Sequence, residues 1–234
     1  MNDIKQEQLL QFYLNDLTGI DTTHDNRVKS HHPEYWKFNS IKQSHIGSSS
    51  LLVDLHITNP IDIWFWSDTH FWHKNIIRYS ARPYPDIENM NEELIKSHNE
   101  VVGPNDIVIW GGDVGFASET KLNDIVRRCN GYKILIVGNH DFHRGGILYD
   151  LDFDEIHPCL SFTRSGITFW ITHYPLDSVP ANTINLHGHT HTHNIQSLQH
   201  INISVEQLEY KPVHLDNIVS IATENLELLK YIAK

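Results

Sequence analysis

Cysteine is scarce in this chain, at two residues in 234. Cys129 and Cys159 share no paired metal or redox spacing, which argues against a disulfide framework and leaves two small buried hydrophobes. Basic charge is also short: 18 Lys and Arg face 29 Asp and Glu, a formal net charge of -11. Tight duplex nucleic-acid binding rests on basic patches that neutralise phosphates, so that partner class is disfavoured. Nucleotides stay open, because bound cations can supply positive charge locally. No apolar run approaches the roughly 18 residues of a membrane span. Met1 to Leu14 has neither an apolar signal core nor an arginine-rich transit pattern. The expectation is a soluble, cytoplasmic protein.

What is present suits a globular α/β chain: 40% hydrophobic and 10% aromatic residues. The organisation expected is an N-terminal extension over residues 1–50 and one domain over 51–234. The extension carries helical spacing over 3–17, stopped at Gly19, then a polar linker with scattered histidines at 24, 31, 32 and 45. Those histidines lack ligand spacing and read as solvated side chains. Leu51 to Thr58 alternates as a strand. Short helical character follows over 71–79, and a longer helix over 89–102 is capped by Asn89 or Asn91 and ended by Gly103-Pro104. Strand 106–110, helix 118–129 and strand 133–137 predict a right-handed βαβ unit. Between 153 and 205 the runs are short and strand-like, predicting a second, more antiparallel sheet. One or two helices close the chain over 215–230.

The informative feature is how five strand-like runs end. Ile61-Asp62-Ile63-Trp64-Phe65-Trp66 leads to Ser67-Asp68-Thr69-His70, and Ile107 to Trp110 leads to Gly111-Gly112-Asp113. Ile134 to Val137 leads to Gly138-Asn139-His140-Asp141, Thr168 to Ile171 to Thr172-His173, and Ile184 to Leu186 to His187-Gly188-His189-Thr190-His191. In α/β sheets, ligands and catalytic groups gather beyond the carboxyl ends of strands. A rim of Asp, Asn and His is rich in nitrogen and oxygen donors, which suits borderline or hard divalent cations.

Taken in order, these motifs resemble those of the calcineurin-like metallophosphoesterase superfamily over about residues 61–219. The wording from Ser67 to Tyr79, with Asn202-Ile203-Ser204-Val205 and Tyr210-Lys211-Pro212-Val213, is similar to its small bacterial and phage phosphoesterases. The resemblance implies a four-layer α/β/β/α sandwich of two mixed sheets and two divalent ions, manganese foremost, with Fe, Ni, Zn or Mg compatible. It implies that Asp68, His70 and His191 hold one ion and Asn139, His173 and His189 the other, with Asp113 between them. A hydroxide shared by the ions would attack the phosphate ester. His140 would protonate the leaving oxygen, and Asp141 would orient His140 by a hydrogen bond.

His73, Asn75 and Arg78 follow the first motif and Arg144 the third, of which His73 and Arg144 are the candidate substrate contacts. Trp66, Trp72, Phe116 and Phe142 lie beside the motifs, where an exposed ring can stack a base and a buried one packs the core. His187 and His193 flank the last motif as supporting or surface residues. Gly112-Asp113 continues as Val114-Gly115-Phe116 and His140 precedes Asp141, a departure from the serine/threonine phosphatase branch that disfavours protein substrates. The function expected is phosphodiesterase action on a nucleotide. A phosphomonoesterase and a non-catalytic scaffold of the same fold are the alternatives, and a homo-oligomer stays open.

Overall fold

The computed structural model describes residues 62–143 and 148–233. The expected N-terminal helix, polar linker and strand 51–58, and Arg144, lie outside these residues.

The first sheet has the order β4-β3-β2-β1-β9. Its strands are β1 (Ile63–Trp66), β2 (Ile107–Trp110), β3 (Tyr132–Ile136), β4 (Glu155–His157) and β9 (Val213–His214). The first four run parallel and β9 antiparallel, with Trp66 beside Trp110 and Trp110 beside Leu135 in register. That register brings the residues after β1, β2 and β3 to one edge. The second sheet orders β5 (Leu160–Arg164), β6 (Ile167–Thr172), β7 (Thr183–His187) and β8 (His200–Asn202).

Alternation divides the apolar side chains between two cores, because successive strand residues face opposite sides. Trp66, Val108, Trp110 and Leu135 face the helices α2 (Ile87–Val101) and α3 (Glu119–Arg128), meeting Met90, Leu94, Leu122 and Ile125. Phe65, Ile109, Ile134 and Ile136 face the other way, toward Phe169, Ile171, Ile184 and Leu186 of the second sheet. Leu215, Ile218, Ala222 and Leu226 of the C-terminal helix α4 (Leu215–Ile232) join that second core. The result is the expected α/β sandwich of two mixed sheets. Among the described residues, no helix is long and apolar enough to cross a membrane.

Three local expectations change. The helical stretch after the first motif shrinks to α1 (Ile76–Tyr79), because Phe71 instead bridges Gly115 and ties the two motif loops together. Helix α2 is capped by Asp86, whose side chain accepts from the Asn89 amide at 2.8 Å, rather than by Asn89 or Asn91. Such a cap contributes about 1 kcal/mol. The second sheet is mainly parallel: β5 pairs antiparallel with β6, but β6–β7 and β7–β8 are parallel. Parallel neighbours need long crossovers, here the loops over 173–182 and 188–199. Part of the first loop covers the outer face of β7, where Asn185 accepts from the Leu176 amide at 2.9 Å. Parallel pairing has a functional consequence. It brings the ends of β6 and β7, and with them His173, His189 and His191, to one edge.

Candidate metal centre

The two edges meet through a parallel bridge between Ser67 and Ser204, and the Val205 amide donates to Ser67 O at 3.0 Å. Around that seam the backbone turns sharply. Asp68, His70, Asp113, His189 and His191 all adopt the left-handed region, with φ of 56, 50, 55, 66 and 49°. A non-glycine residue held there costs on the order of 1 kcal/mol or more, so such clustering marks a functional site rather than economical folding. Glycines make the turns fit. Gly112 has φ 97°, and a Cβ there would stand 2.7 Å from His173 Nδ1. A Cβ on Gly188 would collide with the Asp68 carboxylate and Ser67 Oγ.

The side chains gather into two groups, Asp68 with His70 and His191, and Asp113 with His173 and His189. Asp113 stands between them. Its Oδ1 accepts from the His140 amide at 2.7 Å, while Oδ2 lies 3.4 Å from His70 Nε2 and 3.5 Å from His173 Nε2. Asn139 closes the second group, its Oδ1 3.0 Å from His173 Nε2 and 3.1 Å from His189 Nδ1. His191 Nε2 is 3.7 Å from Asp68 Oδ1.

Electrostatics match this donor set to cations. Burial pushes the carboxyls of Asp113 and Asp141 up from the ordinary range, and each is raised further by a neighbouring carboxylate, Asp68 and Asp113 respectively. Burial pushes His70 well below its usual value and carries His189 down to about 4, leaving neutral imidazoles suited to coordination. Burial opposes protonation of His173 and His191 too, but the Asp113 and Asp68 carboxylates outweigh it at His173, and Glu206 and Asp68 at His191, so both are raised. His70 Nε2 is buried without a hydrogen-bond partner, facing Asp113 Oδ2. Buried carboxylates and an orphaned imidazole nitrogen are satisfied together by divalent ions, so these residues fit a metal pair.

Supporting contacts explain how the ligands are aimed. His73 Nδ1 is 3.3 Å from His70 Nδ1, which leaves the His70 Nε2 edge toward Asp113. His173 Nδ1 pairs with Gly111 O at 2.8 Å, and Ser204 Oγ donates to Asp68 Oδ2 at 3.0 Å. Beneath His191, Glu206 Oε1 lies 3.0 Å from Nδ1 and accepts from Arg82 Nη2 at 2.7 Å. Arg82 also donates to the carbonyls of Asp68 and Thr69, each at 2.7 Å. Arg82, Ser204 and Glu206 escape sequence reasoning. Ser204 falls within the Asn-Ile-Ser-Val stretch that carried part of the resemblance, but Arg82 and Glu206 lie 124 positions apart with no local signal.

Asp141 is corrected. Its carboxylate accepts from the amides of Gly138 at 2.7 Å, Val114 at 2.8 Å and Asp113 at 3.0 Å, so both oxygens face the backbone rather than the His140 ring. A buried carboxylate needs several donors, and three converging amides supply more than one imidazole can. Asp141 therefore pins the second and third motif loops together. The half-buried His140 ring sits 5.2 Å from that of His70, and burial lowers its pKa. Among the flanking aromatics, Trp66 is fully buried, Trp72 and Phe142 pack on the core, and Phe116 is 54% exposed. His187 is buried with Nδ1 2.9 Å from Gly188 O, and His193 is exposed.

The calcineurin-like phosphoesterase family model matches residues 61–229, and the chain belongs to that family. An uncharacterized protein of Methanocaldococcus jannaschii is 35% identical over 170 residues, covering 68% of this chain and 90% of that protein. A crystal structure of a protein of unknown function from Aquifex aeolicus aligns with a TM-score of 0.53 at 24% identity, over 69% of this chain and all of the other, a likeness of fold. Family membership carries metal-dependent phosphoester hydrolysis.

Proposed function

We propose that the protein is a dinuclear metal-dependent phosphodiesterase acting on nucleotides. The observation that carries this reading is the position of Asp113, one carboxylate oxygen fixed by the His140 amide and the other 3.4 and 3.5 Å from a histidine of each group. Asp68, His70 and His191 would hold one ion and Asn139, His173 and His189 the other, with Asp113 shared. Two divalent ions supply Lewis-acid polarisation of the phosphoryl oxygens and activation of water, manganese suiting the mixed nitrogen and oxygen donors.

The chain's own residues contribute position and protons. The Asp113 clamp fixes the spacing of the two groups, while His73, Glu206 and Gly111 O orient the imidazoles of His70, His191 and His173. His140, its backbone anchored to Asp113, is the candidate donor to the leaving oxygen, and its partial exposure leaves the ring open to substrate. Among the described residues, the state of Arg82 favours a diester over a monoester. Arg82 is engaged by Glu206 and two carbonyls. It is committed to the fold rather than open to the second negative charge of a monoester.

A turnover screen over cyclic nucleotides, dinucleotides, nucleoside monophosphates and aryl phosphates, with manganese supplied, tests the reading. Hydrolysis of diesters ahead of monoesters is expected. Preferred release of phosphate from monoesters would replace it with a phosphatase, and inertness of metal-loaded protein toward every ester would favour a binding scaffold.

A further inference from the structure

Phe116 does what a buried-core reading of the motif aromatics does not explain. It follows the Asp113 loop and its backbone is anchored, the amide donating to Phe71 O at 2.8 Å, yet its ring is 54% exposed. That ring lies 5.3 Å from His73, tilted by 33°, and 6.0 Å from His140 at 77°. Tyr79, 64% exposed, also stands near His73, 6.3 Å away. His73 itself touches the candidate ligand His70 through Nδ1. Two exposed rings therefore stand near an imidazole that adjoins the candidate metal centre, and one of them, Phe116, lies beside the histidine placed to protonate the leaving group.

From this we infer that Phe116 is the platform of a base subsite: the substrate presents a planar aromatic group, a nucleobase, which stacks on Phe116 at the His73 and His140 side of the centre. The inference rests on the phosphoesterase reading of the site and adds which part of the substrate lies where. An exposed ring on an anchored backbone, next to the candidate phosphate-binding centre, suits a base because every base offers a π-face. Placement beside His140 puts the base on the leaving-group side. Phe116 is expected to carry the preference through one face of the base. Recognition by stacking alone discriminates poorly among bases, and similar affinities for purine and pyrimidine nucleotides follow.

The test is calorimetry on the manganese-loaded full chain with two probes that share a phosphate and sugar, adenosine 5′-monophosphate and ribose 5-phosphate. The base-bearing probe should bind at least about 10-fold more tightly, from the usual strength of base–aromatic stacking. Phe116→Ala should cut that preference about fivefold or more, Phe116→Leu should not restore it, and Phe116→Trp should. Because Phe116 is surface-exposed and its backbone contact survives these changes, folding is expected to hold, and metal content reports on it. Equal affinities in the unaltered protein, no detectable binding of either probe, or an unchanged preference in Phe116→Ala would overturn the subsite. Base preference without hydrolysis of any diester leaves the subsite standing and removes the phosphodiesterase reading. Diester hydrolysis without base preference does the reverse.

Discussion

The two halves of the candidate metal centre are held in place by different means. Around Asp68, His70 and His191 the supports are side chains: Glu206 and Arg82 beneath His191, His73 against His70, and Ser204 on Asp68. Around Asn139, His173 and His189 they are the main chain, the site itself and a neighbouring ring, with Gly111 O on His173, Asn139 Oδ1 between the two histidines and the Tyr174 ring 4.1 Å from that of His189. A half built on a side-chain relay can be loosened from a distance by one substitution. A half held by main chain, neighbouring ligands and ring packing is less open to loosening by the loss of one charge.

Asp113 belongs to both halves, so its loss should have the largest effect. Asp113→Asn keeps the shape but removes the charge that balances two cations, and metal content and turnover should fall together for every substrate. Retention of full metal content, measured by elemental analysis, would show that the halves do not share this residue. His140→Ala should spare both halves and lower turnover by about 10²- to 10⁴-fold on esters whose leaving group needs a proton. The loss should shrink for a nitrophenolate leaving group. Equal losses on both, or loss of metal, would make His140 structural.

Acid should disable the two halves together. His98 packs 4.8 Å from Trp66 and 5.9 Å from Trp110, on the strands that deliver Asp68 and Asp113. Burial, only partly offset by its hydrogen bond to Asn130 O, carries its pKa from 6.5 down to about 4. Because the folded value is the lower one, the unfolded chain binds the extra proton between them. Stability from this group is therefore undiminished above pH 6.5, falls as pH drops toward 4, and changes no further below, a total of about 3 kcal/mol. Denaturant unfolding of wild type and His98→Gln across that window should show the slope flattened in the variant, and parallel slopes would contradict the assignment.

Glu206→Gln should weaken the Asp68, His70 and His191 half by roughly 10- to 100-fold in metal affinity, as loss of a carboxylate behind a ligating histidine does. The other half should be unchanged. A manganese titration should resolve two binding steps of which only one moves, and equal weakening of both would mean the supports are shared.

The strand-end motifs were readable because each places a polar ligand directly after an apolar run, a local pattern. The seven candidate ligands come together for that reason. The orientation of the second sheet was not readable: β6 and β7 are short, and the loops between them carry no helical periodicity to announce a parallel crossover. The Arg82 and Glu206 pair was hidden by distance along the chain. Asp141 misled for a different reason. Its place beside His140 suggests a side-chain partner, whereas the turn after β3 aims its carboxylate at the amides of Gly138, Asp113 and Val114. Adjacency in sequence says little about direction in a tight loop.

In the proposed dinuclear site one carboxylate, that of Asp113, joins two ions in a single centre. Elemental analysis of the full chain purified with manganese, paired with electron paramagnetic resonance of the same sample, addresses it most directly. Close to two manganese ions per chain with the spectrum of a magnetically coupled pair is the expected result. A folded protein that holds one ion or fewer, or two ions that behave independently, would contradict it.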